Sequence, residues 1–133
     1  MTRIEHIGIA VNDLPNAIVL YEALLNTPCY KQEEVKSEGV KTAFFKIGET
    51  KIELLEATNP DSPIAKFLKK NGPSFHHIAF EVMDIEHELN RLSLLGFELI
   101  HLSPKDGADN KRIAFLHPKS TNGLLVELCQ EKI

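Results

Sequence analysis

The sequence has few of the residues that cross-link or staple small domains. Among its 133 residues it has two cysteines and no tryptophan. Cys29 and Cys129 form no CxxC pair and no spacing typical of zinc, so the sequence predicts neither a disulfide framework nor a cysteine-rich metal site. A chain of about this length can bury roughly two-thirds of its unfolded surface without staples. We therefore expect one globular domain, localised in the reducing cytoplasm.

Long apolar runs and an excess of basic charge are also lacking. No stretch approaches the roughly eighteen apolar residues of a membrane span, and the start, MTRIEHIGIAV, has no signal-peptide pattern. With 15 basic and 19 acidic residues, the formal net charge is −4. The protein as a whole therefore does not attract polyanions electrostatically. We expect no membrane and no nucleic-acid partner, which leaves a small molecule as the partner.

The sequence does contain an internal repeat. HIGIAVNDLPNAIVLYEALLN, residues 6–26, is echoed by HIAFEVMDIEHELNRLSLLGF, residues 77–97, at an offset of 71. Downstream, TAFFK matches IAFLH at the same offset, and IELLE matches VELCQ at an offset of 74. The three extra residues fall in a predicted hairpin turn rich in turn-forming residues. Each copy therefore predicts one strand, one helix and three further strands.

Local signals place the helices of this α+β pattern. Asp13 and Asp84 stand where a short carboxylate caps a helix N-terminus. Apolar residues at spacings of three and four follow each cap and predict one buried stripe per helix: Leu14, Ile18, Tyr21 and Leu25, then Ile85, Leu89, Leu92 and Leu95. We predict a single domain over 1–133, with module one at about 3–58, a linking helix at about 62–71 and module two at about 74–131.

Strand parity singles out two histidines and two glutamates. Alternate residues of a strand point to opposite faces, so His6 shares its face with Gly8, and His77 shares its face with Ala79. Small neighbours leave room over a sheet. Glu53 and Glu127 alternate with apolar residues in the last strand of each copy, and so lie opposite the core.

Each copy therefore offers one histidine and one glutamate, and we predict that all four, His6, Glu53, His77 and Glu127, bind one divalent ion. Two imidazoles and two carboxylates suit Mn, Co, Ni, Fe or Zn and leave positions open for catalysis. A single strand histidine or glutamate is usually an ordinary core or surface group, so the prediction depends on their equivalent places in the repeat. His76 is predicted on the opposite face, and His117 as a cap or surface group.

The duplicated HIGIAV…DL and HHIAFEV…DI pattern resembles the vicinal oxygen chelate superfamily over essentially the whole chain. Within it, KIELLEATNPDSPIAKFLKKNG, FHHIAFEV and RIAFLHPKSTNGLLVELCQ are most similar to the methylmalonyl-CoA epimerase family. The resemblance implies two tandem βαβββ modules forming one domain, with a curved mixed sheet around a metal site. It also implies an acyl-CoA substrate, a divalent ion that is often cobalt, and a homodimer.

Residue by residue, the resemblance places the family's metal ligands at His6, His77, Glu127 and Glu53, the last being glutamine in some members. The family position proposed for a catalytic base falls on Thr42, so the second base stays unassigned. The implied reaction interconverts the (2R) and (2S) epimers of methylmalonyl-CoA through a metal-stabilised enolate, with Glu127 as one base. Two alternatives stay open: a lactoylglutathione lyase of the glyoxalase I type, and a non-catalytic drug-binding protein of the same fold.

Overall fold

The computed structural model describes all 133 residues, Met1–Ile133. The predicted α+β order of strand, helix and three strands, occurring twice, is confirmed. The elements are β1 (Arg3–Ala10), α1 (Leu14–Leu25), β2 (Lys31–Val35), β3 (Val40–Ile47), β4 (Thr50–Ala57), α2 (Pro63–Asn71), β5 (Ser74–Glu81), α3 (Ile85–Leu94), β6 (Lys105–Asp106), β7 (Lys111–Leu116) and β8 (Val126–Glu131). None of the three helices has the length and apolar character that a membrane crossing needs.

The chain divides into two compact units. The first unit is Ile7–His76, and the second unit is Met1–His6 together with His77–Ile133. Both divisions fall inside strands, β1 and β5, next to the two histidines of the predicted site. His6 therefore belongs to the same unit as His77 and Glu127, although its neighbours along the chain continue into the other unit.

In the first unit the strand order is β2-β3-β4-β1, and the two hairpin-connected pairs, β2–β3 and β3–β4, are antiparallel. Leu14 of α1 packs with Leu54, whereas Ile64 of α2 packs with Leu55. Because Leu54 and Leu55 are consecutive on β4, they point to opposite faces. A helix therefore covers each face of this part of the sheet.

In the second unit the order is β1-β5-β8-β7-β6, with β5 and β8 parallel and β7 antiparallel to β8. The buried stripe of α3 packs against one face together with Val82 and Leu128. The prediction that Leu95 continues this stripe is wrong: it is 65% exposed, because α3 ends at Leu94. The opposite face carries a smaller cluster of Ala79, Ile113 and Cys129 with Phe115, which contains no helix residue.

Equivalent hydrogen bonds confirm the alignment of the two copies. The side chains of Asp13 and Asp84 accept N–H bonds from the first turns of α1 and α3, as predicted. The sequence pattern did not predict a second bond in each copy. The N–H of Leu14 donates to Glu56, and that of Ile85 donates to Gln130, both at 2.9 Å. The two acceptors follow Glu53 and Glu127 by three residues, so these two glutamates occupy equivalent strand positions.

Candidate metal centre

Three of the four predicted ligands converge inside the second unit. The Nε2 atoms of His6 and His77 are 3.0 Å apart. One carboxylate oxygen of Glu127, Oε1, lies 3.2 Å from Nε2 of His77 and 3.6 Å from Nε2 of His6. His6 is 6% exposed, His77 is 2% exposed and Glu127 is 5% exposed. Three potential ligand atoms therefore lie close to one another in a site that is almost fully buried from solvent.

These spacings fit a shared divalent ion. Ligand atoms about 2.1 Å from an ion lie about 3.0 Å apart at right angles and about 3.4 Å apart in a tetrahedron. The observed separations of 3.0 and 3.2 Å fall in that range, and the third, 3.6 Å, is slightly longer. Two imidazoles and one carboxylate are also the donors that borderline divalent metals prefer. The residues present thus suit a metal, and their role as ligands stays a prediction.

The sheet register explains why these side chains meet. Across β5 and β8, Ala79 is the partner of Glu127, and across β7 and β8 the partner of Glu127 is Phe115. Ala79 is fully buried and small, so it leaves room beside His77. The ring of Phe115 meets His77 edge-on, with ring centroids 5.6 Å apart. Packing therefore limits the orientation of His77 from the β7 side.

The electrostatics favour an ionised Glu127. Burial by itself raises the pKa of this carboxyl, but the charge and hydrogen bonding of His6 and His77 outweigh burial and hold the pKa well below its usual value. Cys129, two residues along the same strand, behaves differently. Burial, together with the negative charge of Glu127, raises the pKa of its thiol to about 12. Cys129 is therefore a neutral thiol.

The fourth predicted ligand, Glu53, lies in the first unit. It is buried on β4, and its partner across β3 and β4 is Phe44, just as Phe115 is the partner of Glu127. It is not part of the His6, His77 and Glu127 cluster of the second unit. Its ligand role is therefore still a prediction from the repeat. Thr42, at the family's proposed base position, is buried, and its hydroxyl donates to the carbonyl of Glu33 at 3.4 Å.

Three of the other four histidines, His76, His87 and His117, lie elsewhere in the structure, and the fourth, His101, accepts the N–H of Phe115 at Nδ1. The ring of His76 lies edge-on to Phe67 in the first unit. His117 Nδ1 accepts the N–H of Lys119 in a short turn, in the capping role that was predicted. His87 is exposed on α3. None of the three belongs to the cluster of His6, His77 and Glu127.

Sequence reasoning missed one buried charge near this site. Lys111 begins β7 and is 3% exposed. Its Nζ lies 3.2 Å from Glu131 and 4.0 Å from Glu5, whose other oxygen is 2.8 Å from Nδ1 of His6. The available signal was strand parity, which places Lys111 on the same face as Ile113 and Phe115.

Comparison with known families matches residues 5–115 to the Glyoxalase/Bleomycin resistance protein/Dioxygenase superfamily. The chain belongs to this superfamily, which confirms the family resemblance seen in its repeated motifs. Its paired βαβββ order is thus found in a chain of the expected superfamily.

Individual relatives place the chain more narrowly. It is 42% identical over 130 residues to an ethylmalonyl-CoA/methylmalonyl-CoA epimerase of Cereibacter sphaeroides, covering 96% of this chain and 97% of that protein. It is 44% identical over 132 residues to an uncharacterised protein, YqjC, of Bacillus subtilis, covering 99% and 94%. A Streptomyces coelicolor methylmalonyl-CoA epimerase, a serine-to-threonine variant in complex with 2-nitronate-propionyl-CoA, matches with a TM-score of 0.95 and 36% identity over 98% and 95% of the two chains. The chain is accordingly an enzyme of the epimerase group.

Proposed function

We propose that the protein interconverts (2R)- and (2S)-methylmalonyl-CoA by metal-dependent removal and return of the proton at C2. One observation carries the proposal: His6, His77 and Glu127 converge within 3.0–3.6 Å in a buried site. The full-length likeness to acyl-CoA epimerases supports the choice of substrate.

The reaction requires a base and a means of stabilising negative charge. The hydrogen at C2 lies between a thioester and a carboxylate and is only weakly acidic. When bound, a divalent ion supplies Lewis-acid stabilisation of the charge that develops as this proton leaves. Glu127 accepts the proton, because it lies within the cluster of proposed ligands and its buried carboxylate carries no proton of its own. Return of a proton to the opposite face of C2 inverts the centre.

The proposed ligands are His6, His77 and Glu127, with Glu53 as the fourth. Support for Glu53 comes from the repeat, in which it occupies the same strand position as Glu127. Cobalt is the proposed ion because of the family resemblance, and Mn, Ni, Fe and Zn suit the same donors. Thr42 offers a hydroxyl in place of the family's proposed carboxylate base, so the residue that returns the proton is a different one.

Exchange of the C2 proton in D₂O tests the proposal directly. We expect deuterium to enter methylmalonyl-CoA with cobalt-loaded protein, at a rate at least about 100-fold above that of chelator-treated protein. Adding cobalt back is expected to restore exchange. Proton NMR of the substrate measures the rate, and circular dichroism shows whether the chelated protein keeps its fold.

Two results would overturn this function. The first is folded, cobalt-loaded protein that exchanges no C2 proton, since such a protein has no epimerase activity. Formation of lactoylglutathione from methylglyoxal and glutathione would then identify a lyase of the glyoxalase I type. Exchange that is unchanged by complete removal of metal would overturn the metal dependence while leaving the epimerase activity in place.

We also propose that the enzyme acts as a homodimer in the cytoplasm. Likeness to the epimerase family supports the dimer, and its two free cysteines, Cys29 and Cys129, suit a reducing compartment. Light scattering after size-exclusion chromatography is expected to give twice the mass of one chain. A mass of one chain at micromolar concentration contradicts the dimer.

A further inference from the structure

We propose that Glu5 is a positioning residue that orients His6 for metal binding and is itself held by Lys111 and Arg3. The inference deepens the proposed function, because it rests on His6 being a ligand. Glu5 was not among the residues singled out from the sequence. It lies one residue before His6 on β1 and is 1% exposed.

The contact between Glu5 and His6 determines which nitrogen of His6 faces the site. Oε1 of Glu5 lies 2.8 Å from Nδ1 of His6. An ionised carboxylate only accepts hydrogen bonds, so the ring N–H at Nδ1 is the donor. In the neutral imidazole that a metal requires, this proton is the only one on the ring, so Nε2 presents a lone pair towards His77 and Glu127. A carboxylate behind a ligating histidine fixes the ring orientation and makes the ligand more basic.

Opposite charges surround the carboxylate of Glu5. Its Oε2 lies 3.8 Å from a guanidinium nitrogen of Arg3 and 4.0 Å from Nζ of Lys111. Arg3 is anchored by Glu81 at 3.0 Å, and Lys111 by Glu131 at 3.2 Å. A buried carboxylate is costly unless charges of this kind accompany it. The network keeps a negative group close to Nδ1 of His6 in the buried interior.

Comparison of the two copies indicates that the fold does not require this network, which favours a role at the proposed metal site. At the same offset of 71, the position equivalent to Lys111 is Val40 in the first copy, and the position equivalent to Glu5 is His76 in the second copy. Val40 is buried in an apolar cluster with Ala10 and Leu55. The same strand position is thus filled by an apolar residue in the other copy, where the residue before the histidine is His76 and not a carboxylate. Buried ion pairs are often replaceable by apolar residues without loss of stability, so their presence here calls for another reason.

Cobalt affinity and the tautomer of His6 together test the proposal. Glu5→Ala is expected to weaken cobalt binding by about 10- to 100-fold, the usual effect of losing such a partner. Glu5→Gln is expected to fall between Glu5→Ala and the unchanged protein, because its amide oxygen still accepts from Nδ1 but carries no charge. Competition with a chromophoric chelator measures the affinity. ¹⁵N shifts of the His6 ring in metal-free protein report the tautomer, which is expected to lose its Nδ1–H preference in Glu5→Ala.

A double substitution and a matched control separate orientation from folding. The single variant Lys111→Met is expected to weaken cobalt binding. The double variant, Glu5→Gln with Lys111→Met, is expected to bind cobalt no more weakly than the single variant Glu5→Gln, because the two residues act as a unit. This charge-balanced pair also replaces Glu5→Ala if that variant does not fold. Glu98→Gln, an exposed position in the same unit, is expected to change nothing.

The outcomes distinguish this inference from the function on which it rests. Unchanged protein that binds no divalent ion overturns the metal site, and the ¹⁵N shifts of His6 then decide whether Glu5 still fixes the ring. A different result would overturn the positioning role and leave the metal site intact. In that case the protein without substitutions binds cobalt, and variants at position 5 bind cobalt equally well and keep the His6 tautomer.

Discussion

Glu127→Gln is expected to reduce deuterium exchange at C2 of methylmalonyl-CoA by at least about 10³-fold. Loss of a positioned general base alone costs about 10²- to 10⁴-fold, and here the same change removes a charged group from the proposed metal site. Glutamine has nearly the same shape, so the packing against Ala79 and Phe115 is retained. The exchange rate is measured at saturating cobalt, with metal content determined on the same sample.

Glu127→Asp is the matched comparison for this prediction. It keeps the negative charge but withdraws it by one methylene, so we expect measurable exchange that lies between the unchanged protein and Glu127→Gln. Glu98→Gln, exposed and remote in sequence, is expected to exchange at the normal rate. Exchange by Glu127→Gln within about threefold of normal, with cobalt still bound, would exclude Glu127 as the base.

The repeat made much of the site predictable from the sequence. Strand parity fixes the face to which a side chain points, and the offset of 71 identifies His6 and His77 as equivalents. Glu127 follows in the same way from its alternation with Val126 and Leu128. These inferences are local, because each depends only on neighbours along the strand and on the alignment of two copies. The structure brings the three side chains together at 3.0–3.6 Å.

The contacts that the sequence did not predict join residues far apart in the chain. Lys111 reaches Glu5, and Gln130 accepts the N–H of Ile85, across 45 residues. A lysine beside Arg112 in a loop-like stretch has the composition of a solvated group. The pairing of β7 with β8 places Lys111 opposite Glu131. Side-chain partners of this kind depend on sheet neighbours, which a single sequence does not specify.

Leu128→Ala is expected to lower the free energy of unfolding by about 2–5 kcal/mol, the range for a buried leucine whose cavity cannot fully collapse. Leu128 is fully buried, and its β-sheet partners, Phe80 and Ala114, lie on either side of it. It packs with α3 on the face opposite Glu127, so the loss falls on the core and leaves the proposed ligands in place.

Urea denaturation followed by circular dichroism measures this loss as a lower midpoint with an unchanged slope. Leu94→Ala is the matched control, since Leu94 ends α3 and is 81% exposed. That substitution is expected to change stability by no more than about 0.5 kcal/mol. Well below the transition, cobalt affinity of Leu128→Ala is expected to stay within a few-fold of normal, because the helix packs on one face of β8 and the proposed metal site lies on the other. Equal losses for the two leucines would contradict the assignment of Leu128 to the core behind the site.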